Sequence, residues 1–213
     1  MSAEPAVLID RVSHRYGNRE ALRSVSFEVR AAEIFALLGP NGGGKTTLFR
    51  ILSTSFAPTG GRAEVFGHDL VTQSAQVRQQ MGVVFQAPSL DKKLSAAENL
   101  WHHGHLYGLR GQPLRQQMTE MLGRVGLSDR ARDRVEKLSG GMQRRVEVAK
   151  GLLHRPRLLL MDEPSTGLDP GARRDLWDYL KESRERDRLT ILLTTHLMGE
   201  AEQCDRVAIL HRG

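Results

Sequence analysis

The feature that most constrains this chain is a glycine-rich segment, Gly39 to Thr47, that directly follows an apolar run ending at Leu38. Two glycines with four residues between them precede a lysine and a hydroxyl residue, which is the pattern of a phosphate-binding loop. Such a loop turns backbone N–H groups toward phosphate oxygens, and the helix that follows adds its positive N-terminal end. A plain flexible turn is the alternative, but the position between a predicted strand and a predicted helix favours a phosphate site.

Two side chains of this loop have distinct expected roles. Lys45 is placed to reach the β- and γ-phosphates of a nucleotide, and Thr46 to coordinate Mg²⁺. The residues of the loop that we expect to bind the nucleotide are Gly39, Pro40, Asn41, Gly42, Gly43, Gly44, Lys45, Thr46 and Thr47.

Short apolar runs recur along the rest of the chain and predict its fold class. The runs are Ile34 to Leu38, Val83 to Phe85, Leu158 to Met161, Ile191 to Leu193 and Val207 to Leu210. Continuous apolar strands of this kind are typical of a parallel sheet covered by helices on both faces. Alternating residues from Val7 to Val29, with a turn at Gly17-Asn18, predict a small antiparallel layer before it. We predict an α/β fold: a P-loop NTPase core with a mainly parallel sheet, an N-terminal antiparallel β layer and an inserted helical subdomain.

The middle of the chain has no strand signal. Apolar residues recur there at helical spacing, so the segment from Gln112 to Gly126 is predicted to contain an amphipathic helix. We assign residues 88–134 to a helical subdomain, and residues 1–87 and 135–213 to the antiparallel layer plus the core of a single domain.

Polar residues follow several of the predicted parallel strands. Gln86 follows one run, Asp162 and Glu163 follow another, and His196 comes after Thr194-Thr195. Because ligands bind beyond the carboxyl ends of strands in such sheets, we expect these residues to converge near the glycine-rich loop. Asp162 is expected to hold Mg²⁺ and Glu163 to polarise an attacking water. A solvated acidic turn is the alternative, which the presence of the loop disfavours.

A second helix start with exposed backbone N–H groups occurs at Leu138-Ser-Gly-Gly-Met-Gln143. Ser139 is a good N-cap, and Gly140 and Gly141 leave N–H groups free to meet phosphate at the start of an amphipathic helix. The chain has one phosphate-binding loop, so we expect this helix start to bind the nucleotide held by another copy or by a partner.

These motifs resemble, in order and over nearly the whole chain, those of the ABC ATPase family. In that family two domains enclose two ATP molecules head to tail. The resemblance implies that Tyr16 stacks on adenine, that Gln86 contacts Mg²⁺ or the attacking water, and that His196 contacts the γ-phosphate. By the same resemblance, the residues expected to contact nucleotide outside the P-loop and Tyr16 are Ser139, Gly140, Gly141, Gln143 and, in the D-loop from Ser165, Asp169. Lys45, Gln86, Glu163 and His196 are the implied catalytic residues, and Thr46, Gln86 and Asp162 the implied Mg²⁺ ligands.

Two departures from the family pattern are visible. Gly43 stands where the family commonly has alanine or serine, which adds flexibility without removing a phosphate ligand. The chain stops at Gly213, where family members usually continue with a short hairpin. We therefore expect the sequence to be truncated at this end.

Composition narrows the setting of the protein. No apolar run approaches the roughly 20 residues of a membrane-spanning helix, and no secretory signal precedes the first strand. The net charge of +6 arises from 31 basic and 25 acidic residues that are mostly interleaved, so we expect no nucleic-acid partner. The single cysteine, Cys204, fits a reducing cytosol and a small buried hydrophobe. His102, His103 and His105 lack further ligands for a metal set and are expected to be solvated or interface residues.

The segments Ser89 to Leu100 and Thr195 to Val207 look like the subgroup that powers ABC-2-type exporters. The resemblance implies a Mg²⁺-dependent ATPase that forms a dimer, with a homodimer sufficient, and that drives a separate integral membrane subunit from the cytoplasmic face of the membrane. Two alternatives remain: a soluble ABC ATPase acting on ribosomes or nucleic acid, and a non-catalytic nucleotide-binding regulator.

Overall fold

A five-stranded parallel sheet forms the centre of the fold in a computed structural model, which describes residues 4–213. The strands are β1 (Val7–Tyr16), β2 (Arg19–Val29), β3 (Ile34–Leu38), β4 (Gly60–Val65), β5 (His68–Asp69), β6 (Met81–Val84), β7 (Leu158–Asp162), β8 (Thr190–Thr195) and β9 (Arg206–Ile209). The α-helices are α1 (Lys45–Leu52), α2 (Ser74–Gln80), α3 (Ala96–Leu106), α4 (Gly111–Arg124), α5 (Gly140–Leu152), α6 (Pro170–Asp187) and α7 (Met198–Ala201).

The parallel sheet has the order β6-β7-β8-β3-β9. Every residue of β3, β7 and β8 is buried, as continuous apolar strands covered on both faces require. The register pairs Leu38 with Thr195 and Asp162 with Thr194. The carboxyl ends of the three central strands are therefore level, and the loops that follow them meet at one edge.

Alternate residues of the central strands face two different cores. Ile34 and Ala36 belong to the cluster under α3, α4, α5 and α6, whereas Phe35 and Leu37 belong to the cluster under α1 and the antiparallel sheet. Each fully buried leucine or phenylalanine contributes roughly 1.5–3 kcal/mol of hydrophobic free energy, so both faces hold the sheet in place.

The antiparallel layer has the order β2-β1-β4-β5. The predicted strands between Val7 and Val29 are confirmed, with Gly17 at a positive φ of 56° in the turn. The prediction did not include β4 and β5, which follow α1 in sequence and extend this sheet.

Four of the five predicted parallel strands differ from the observed ones by one or two residues at an end, and β7 and β8 extend to Asp162 and Thr195. The strand expected at Val83 to Phe85 is β6, Met81–Val84, and the one expected at Val207 to Leu210 is β9, Arg206–Ile209. Phe85 lies beyond the sheet, with its ring edge-on to Phe49. The helix expected within Gln112 to Gly126 is α4, which ends before Gly126 because that residue adopts a positive φ of 67°.

The middle of the chain holds α3 and α4, which pack on α5. The sequence analysis did not place α3, although a capping box marks its start: Ser95 Oγ accepts a hydrogen bond from Glu98 N, and the Glu98 carboxylate accepts one from Ser95 N. The limits of the helical subdomain at residues 88 and 134 stay a prediction.

Candidate functional site: a nucleotide cleft

The glycine-rich loop leaves the carboxyl end of β3 and runs into α1. Gly39 N donates to Thr195 O at 3.3 Å, and a Cβ at Gly39 would lie 2.2 Å from Leu210 O, so only glycine fits against the segment after β9. Gly44 precedes the helix with a φ of 105°, a conformation that glycine adopts without strain. The loop therefore presents backbone N–H groups at the N-terminus of α1, where an anion is stabilised.

Lys45 lies inside this loop. Its side chain is buried, and Nζ donates to Gly39 O at 2.7 Å and to Pro40 O at 3.1 Å. The loop carbonyls hold the Lys45 ammonium group close to the backbone N–H groups of the loop. Phosphate oxygens bound there would contact the ammonium group and these N–H groups together.

A cleft of about 700 Å³ opens beside the loop. Five basic and two acidic side chains line the cleft. This excess of positive charge suits a polyanion such as a nucleoside triphosphate. The basic residues are Arg19, Arg23, Lys45, Arg50 and Arg212, and the acidic residues are Glu20 and Glu163. The sequence analysis missed these four arginines, because β2, α1 and the segment after β9 meet only in the folded chain.

Tyr16 lies in the wall of the same cleft, at the end of β1. Its ring is 42% exposed and packs edge-on against His14 and Phe56. The Tyr16 hydroxyl is 3.5 Å from Thr47 Oγ1. The exposed ring face is available to a flat ligand beside the loop.

Glu163, Gln86 and His196 come together at the carboxyl edge of the sheet. Gln86 Nε2 donates to Glu163 Oε2 at 3.2 Å, and His196 Nδ1 is 3.2 Å from Glu163 Oε1. Glu163 has a positive φ of 42°, and its N–H donates to Thr194 O at 3.1 Å. Glu163 and Gln86 also line the cleft. A strained non-glycine backbone conformation is common at functional sites.

Asp162 lies one residue earlier, at the buried end of β7. Its Oδ1 accepts a hydrogen bond of 2.5 Å from Thr194 Oγ1. Burial raises the pKa of the Asp162 carboxyl, while the Thr194 hydroxyl and the charge of Lys45 act in the opposite direction.

The residues present fit a Mg²⁺ ion bound with nucleotide. Thr46 is exposed in the first turn of α1 and lines the cleft, as Gln86 does, and the Asp162 carboxylate lies at the end of β7 behind this lining. Residues 4–213 contain no group of three or more histidine, cysteine, aspartate or glutamate side chains able to hold a metal alone. Mg²⁺ usually takes few protein ligands and completes its shell with water and phosphate oxygens, which agrees with this sparse oxygen set.

The start of α5 does not line this cleft, but Gly140 and Gln143 line a smaller cavity together with Gln86 and Glu163. Ser139 is the N-cap, and its Oγ accepts a hydrogen bond from Met142 N at 3.2 Å, as predicted. Gln143 Nε2 donates to Val135 O and Leu138 O, so its side chain braces the preceding turn. Among the described residues, those lining the cleft at the P-loop do not include Ser139, Gly140, Gly141 or Gln143.

Asp169 is likewise outside the cleft lining. It caps α6, with Oδ1 accepting from Gly171 N at 2.9 Å and Ala172 N at 3.0 Å. These backbone hydrogen bonds lower the pKa of the Asp169 carboxyl. Within one chain the side chain of Asp169 therefore serves to start a helix.

Arg144 connects the segments of the site, and the sequence analysis missed it. Its buried guanidinium donates to Phe85 O at 2.7 Å, to Pro164 O at 2.8 Å and to Asp162 O at 3.2 Å. It also pairs with Glu147 at 2.8 Å. Burial lowers the pKa of the Arg144 guanidinium, against the attraction of Glu147. One side chain on α5 thus fixes the residues next to Gln86 and Glu163.

The remaining candidate residues have other surroundings. His102 and His105 contact the ring of Trp101, and His103 packs against Tyr107. Cys204 is half-buried rather than fully buried, and its thiol donates to Glu200 O. Burial raises the Cys204 pKa to about 12.

The helices described for residues 4–213 include none with both the length and the apolar character needed to cross a bilayer.

Comparison with known proteins places this geometry in a family. A sequence profile described as ABC transporter matches residues 22–166. The daunorubicin resistance ATP-binding protein DrrA3 of Streptomyces coeruleorubidus is 40% identical over 212 residues, which cover 99% of this chain and 67% of that protein. The Nod factor export ATP-binding protein I of Rhizobium etli is 39% identical over 209 residues, covering 98% of this chain and 66% of that protein. The chain spans about two thirds of the length of both relatives.

A solved structure agrees with the sequence matches. The chain resembles cbiO1 from Clostridium perfringens, described as part of the ABC transporter complex cbiONQ, with a TM-score of 0.91 and 26% identity. The match covers 99% of this chain and 86% of that one. The profile, the relatives and the fold agree, and the chain therefore belongs to the ABC transporter family, among its ATP-binding proteins.

Proposed function

We propose that this chain hydrolyses ATP in the cleft beside the P-loop and uses the reaction to drive export through a separate membrane protein. The observation that carries the proposal is the position of Glu163, which contacts Gln86 and His196 at the edge of the sheet that also holds Lys45. ATP-binding proteins of this family are ATPases that dimerise and work with membrane subunits.

In this mechanism the P-loop N–H groups and Lys45 bind the triphosphate, and Tyr16 stacks on the adenine. Thr46, Gln86 and Asp162 would hold Mg²⁺, which would neutralise charge on the phosphates. Glu163 accepts a proton from the attacking water, which Gln86 helps to orient. His196 stabilises the charge that develops on the γ-phosphate.

A second copy of the chain completes the site. Ser139, Gly140 and Gly141 start α5 with N–H groups outside their own cleft, so we infer that they meet the γ-phosphate bound by another copy. Gln143 and Asp169 support this contact indirectly, the first by bracing residues 135–138 and the second by fixing the start of α6. A homodimer is sufficient because one chain carries every motif.

The export role rests on the relatives and on an exposed apolar surface. Both curated relatives are named for drug resistance or export. Phe85, Trp101 and Leu106 are large apolar side chains that remain 39%, 45% and 82% exposed near the Gln86 loop and on α3. We propose that this surface receives a helix of the integral membrane subunit, with the chain on the cytoplasmic face of the membrane. No feature of the site favours the ribosome, nucleic-acid or non-catalytic alternatives.

Two measurements test the proposal. Steady-state ATPase assays on the purified chain should show Mg²⁺-dependent turnover that Lys45→Ala abolishes, because the ammonium is central to phosphate binding. Lys92→Ala changes an exposed lysine that does not line the cleft and should keep wild-type turnover. A wild type without ATPase activity would contradict the catalytic part.

Affinity purification from detergent-solubilised membranes tests the partner. A polytopic membrane protein in stoichiometric amount would support the export role. Copurification of ribosomal proteins or nucleic acid, with no membrane protein, would replace it with the soluble alternative.

A further inference from the structure

A buried carboxylate outside the assigned motifs lies behind the catalytic contacts. Glu200, on α7, is 3% exposed, and none of its oxygens lies within 4 Å of a basic side chain in the described part of the chain. Its two oxygens instead accept hydrogen bonds from two hydroxyl groups. Ser165 Oγ donates to Oε1, and Thr195 Oγ1 donates to Oε2 at 2.5 Å.

The two hydroxyl groups belong to the two segments that carry the catalytic pair. Ser165 lies two residues after Glu163, on the loop that follows β7. Thr195 is the last residue of β8 and directly precedes His196. Ser165 and Thr195 are 0% and 1% exposed, so neither hydroxyl has water as an alternative partner.

The chain after His196 is tied to the same cluster. Thr195 Oγ1 also accepts a hydrogen bond from Leu197 N at 3.0 Å, and Glu200 N donates to Leu197 O at 3.1 Å. The residues on both sides of His196 are therefore fixed to one carboxylate.

The position of Glu200 carries an energetic cost. A buried charge without an ion pair is costly, and burial raises the pKa of Glu200 against the Thr195 hydrogen bond and the charge of Arg173. An apolar side chain of similar size would avoid burying a charge, but it would leave the hydroxyls of Ser165 and Thr195 without an acceptor. What the carboxylate adds is two acceptor atoms on one rigid group, one facing the loop after β7 and the other the end of β8.

We propose that Glu200 is a positioning residue that sets the distance between Glu163 and His196 by holding the Ser165 loop against the end of β8. This inference rests on the proposed ATPase function. It predicts that losing the Glu200 acceptors lets the Glu163 and His196 segments separate, which slows hydrolysis while the P-loop and Tyr16 still bind ATP.

The test is steady-state kinetics on Glu200→Ala, Glu200→Gln and a matched control. Glu200→Ala should lower kcat by about tenfold to a hundredfold, the range expected when catalytic groups shift by about 1 Å, with KM for ATP within about twofold of wild type. Glu200→Gln keeps one carbonyl acceptor and should recover part of the loss.

The matched control is Glu33→Gln. Glu33 is also buried, and it accepts hydrogen bonds from Arg30 N and Arg206, but it precedes β3 at the opposite edge of the sheet. Its replacement removes a buried carboxylate that pairs with Arg206 at the amino end of β3, away from His196, and should leave kcat unchanged. All variants are assayed below their measured unfolding temperatures.

A double mutant tests the route of the effect. If Glu200 acts through the hydroxyl of Ser165, the double variant Ser165→Ala/Glu200→Ala should have the same kcat as Glu200→Ala alone. The effects of substitutions within one hydrogen-bond network are not additive. Ser165→Ala and Glu200→Gln both change the contact between Ser165 and Glu200. If one of the two variants is too unstable to assay, the other still tests this contact.

The outcomes separate the inference from the function on which it rests. An inactive wild type overturns the proposed function and the inference with it. An active wild type that needs Lys45, with a Glu200→Ala variant of wild-type kcat, overturns the inference alone. Equal losses in Glu200→Ala and Glu33→Gln, or a parallel loss of ATP binding, also overturn it, because both indicate general destabilisation.

Discussion

The imidazole Nδ1 of His196 lies 3.2 Å from Oε1 of Glu163, and the two residues directly follow different strands, β8 and β7. The other oxygen, Oε2, accepts hydrogen bonds of 3.2 Å from Gln86 Nε2 and from Thr166 Oγ1. The side chain of Glu163 is 12% exposed, so it meets water only from the cleft side. We propose that a carboxylate held in this way accepts a proton from the attacking water.

Glu163→Gln removes the proton acceptor and keeps the size and hydrogen-bonding shape of the side chain. We expect ATP turnover to fall by about a hundredfold or more, while ATP binding continues, so that an ATP-bound dimer accumulates. Light scattering at saturating Mg-ATP measures this state. Glu182→Gln, on the exposed face of α6, is the control and should remain like wild type. A monomeric Glu163→Gln would remove the main support for the two-copy site.

Gly39→Ala tests the close approach between the P-loop and the segment after β9. The added Cβ would lie 2.2 Å from Leu210 O, a backbone atom that cannot rotate away. We expect a loss of about 1–3 kcal/mol in the free energy of unfolding, and weaker ATP binding because the loop must shift. Urea unfolding and ATP titration measure the two effects. Gly199→Ala has no heavy atom within 4 Å of the new Cβ, and a similar loss there would contradict the steric explanation.

Arg144→Met tests the connection from α5 to the catalytic loops. The change leaves Phe85 O, Pro164 O and Asp162 O without this donor and leaves Glu147 as a buried charge without its partner. We expect a loss of about 3–5 kcal/mol in the free energy of unfolding, typical of breaking a buried ion pair.

The control for Arg144 is its neighbour. Arg145 donates a hydrogen bond to a single carbonyl, Val125 O at 3.1 Å, so Arg145→Met should cost about 0.5–1.5 kcal/mol in urea unfolding. Equal losses in the two variants would mean that Arg144 contributes only packing.

The sequence identified the central strands well and the peripheral ones poorly. β3, β7 and β8 are buried on both faces, so their apolar runs are continuous and easy to read. β4 buries only Ala63 and Val65 and begins with two glycines, which gives almost no strand signal.

The same reasoning explains which site residues were found. Lys45 and Glu163 follow apolar runs, and the level strand ends bring them to one edge. Arg144 bonds mainly to backbone carbonyls, which carry no side-chain pattern, and Arg212 reaches the cleft only because β9 lies beside β3. Contacts of this kind depend on the folded chain and have no local signal.

A pair of half-buried histidines, His103 and His154, predicts how stability depends on pH. His154 stacks on Tyr107 with ring centroids 3.7 Å apart. The His103 ring lies near both the Tyr107 ring and the His154 ring. Burial lowers the pKa of each histidine from 6.5 to about 4, and the charge of Lys150 adds to the effect on His103. His154 Nε2 also donates to Met81 O at 3.2 Å, which acts in the opposite direction.

The sign follows from the lowered pKa. Below pH 6.5 the unfolded chain takes up protons that the folded histidines accept only near pH 4, so stability falls as pH falls between these values. At pH 5 the loss should be about 1–2 kcal/mol per histidine. Urea unfolding from pH 7.5 to pH 5 measures it, and His154→Phe should flatten the dependence while exposed His102→Phe should not. Identical pH curves for wild type and His154→Phe would contradict this origin.

Tyr16→Ala tests whether the exposed ring at the end of β1 binds the adenine or supports the P-loop. Stacking of a base on an aromatic ring contributes about 1–3 kcal/mol, so the Kd for ATP should rise by about tenfold. Tyr16→Phe keeps the ring and loses only the 3.5 Å contact with Thr47 Oγ1, so it should bind ATP nearly as wild type does. Inorganic triphosphate separates the two roles because it has no base: its affinity should not change in Tyr16→Ala. An equal loss for ATP and triphosphate would show that Tyr16 acts through Thr47 and the loop instead of through adenine.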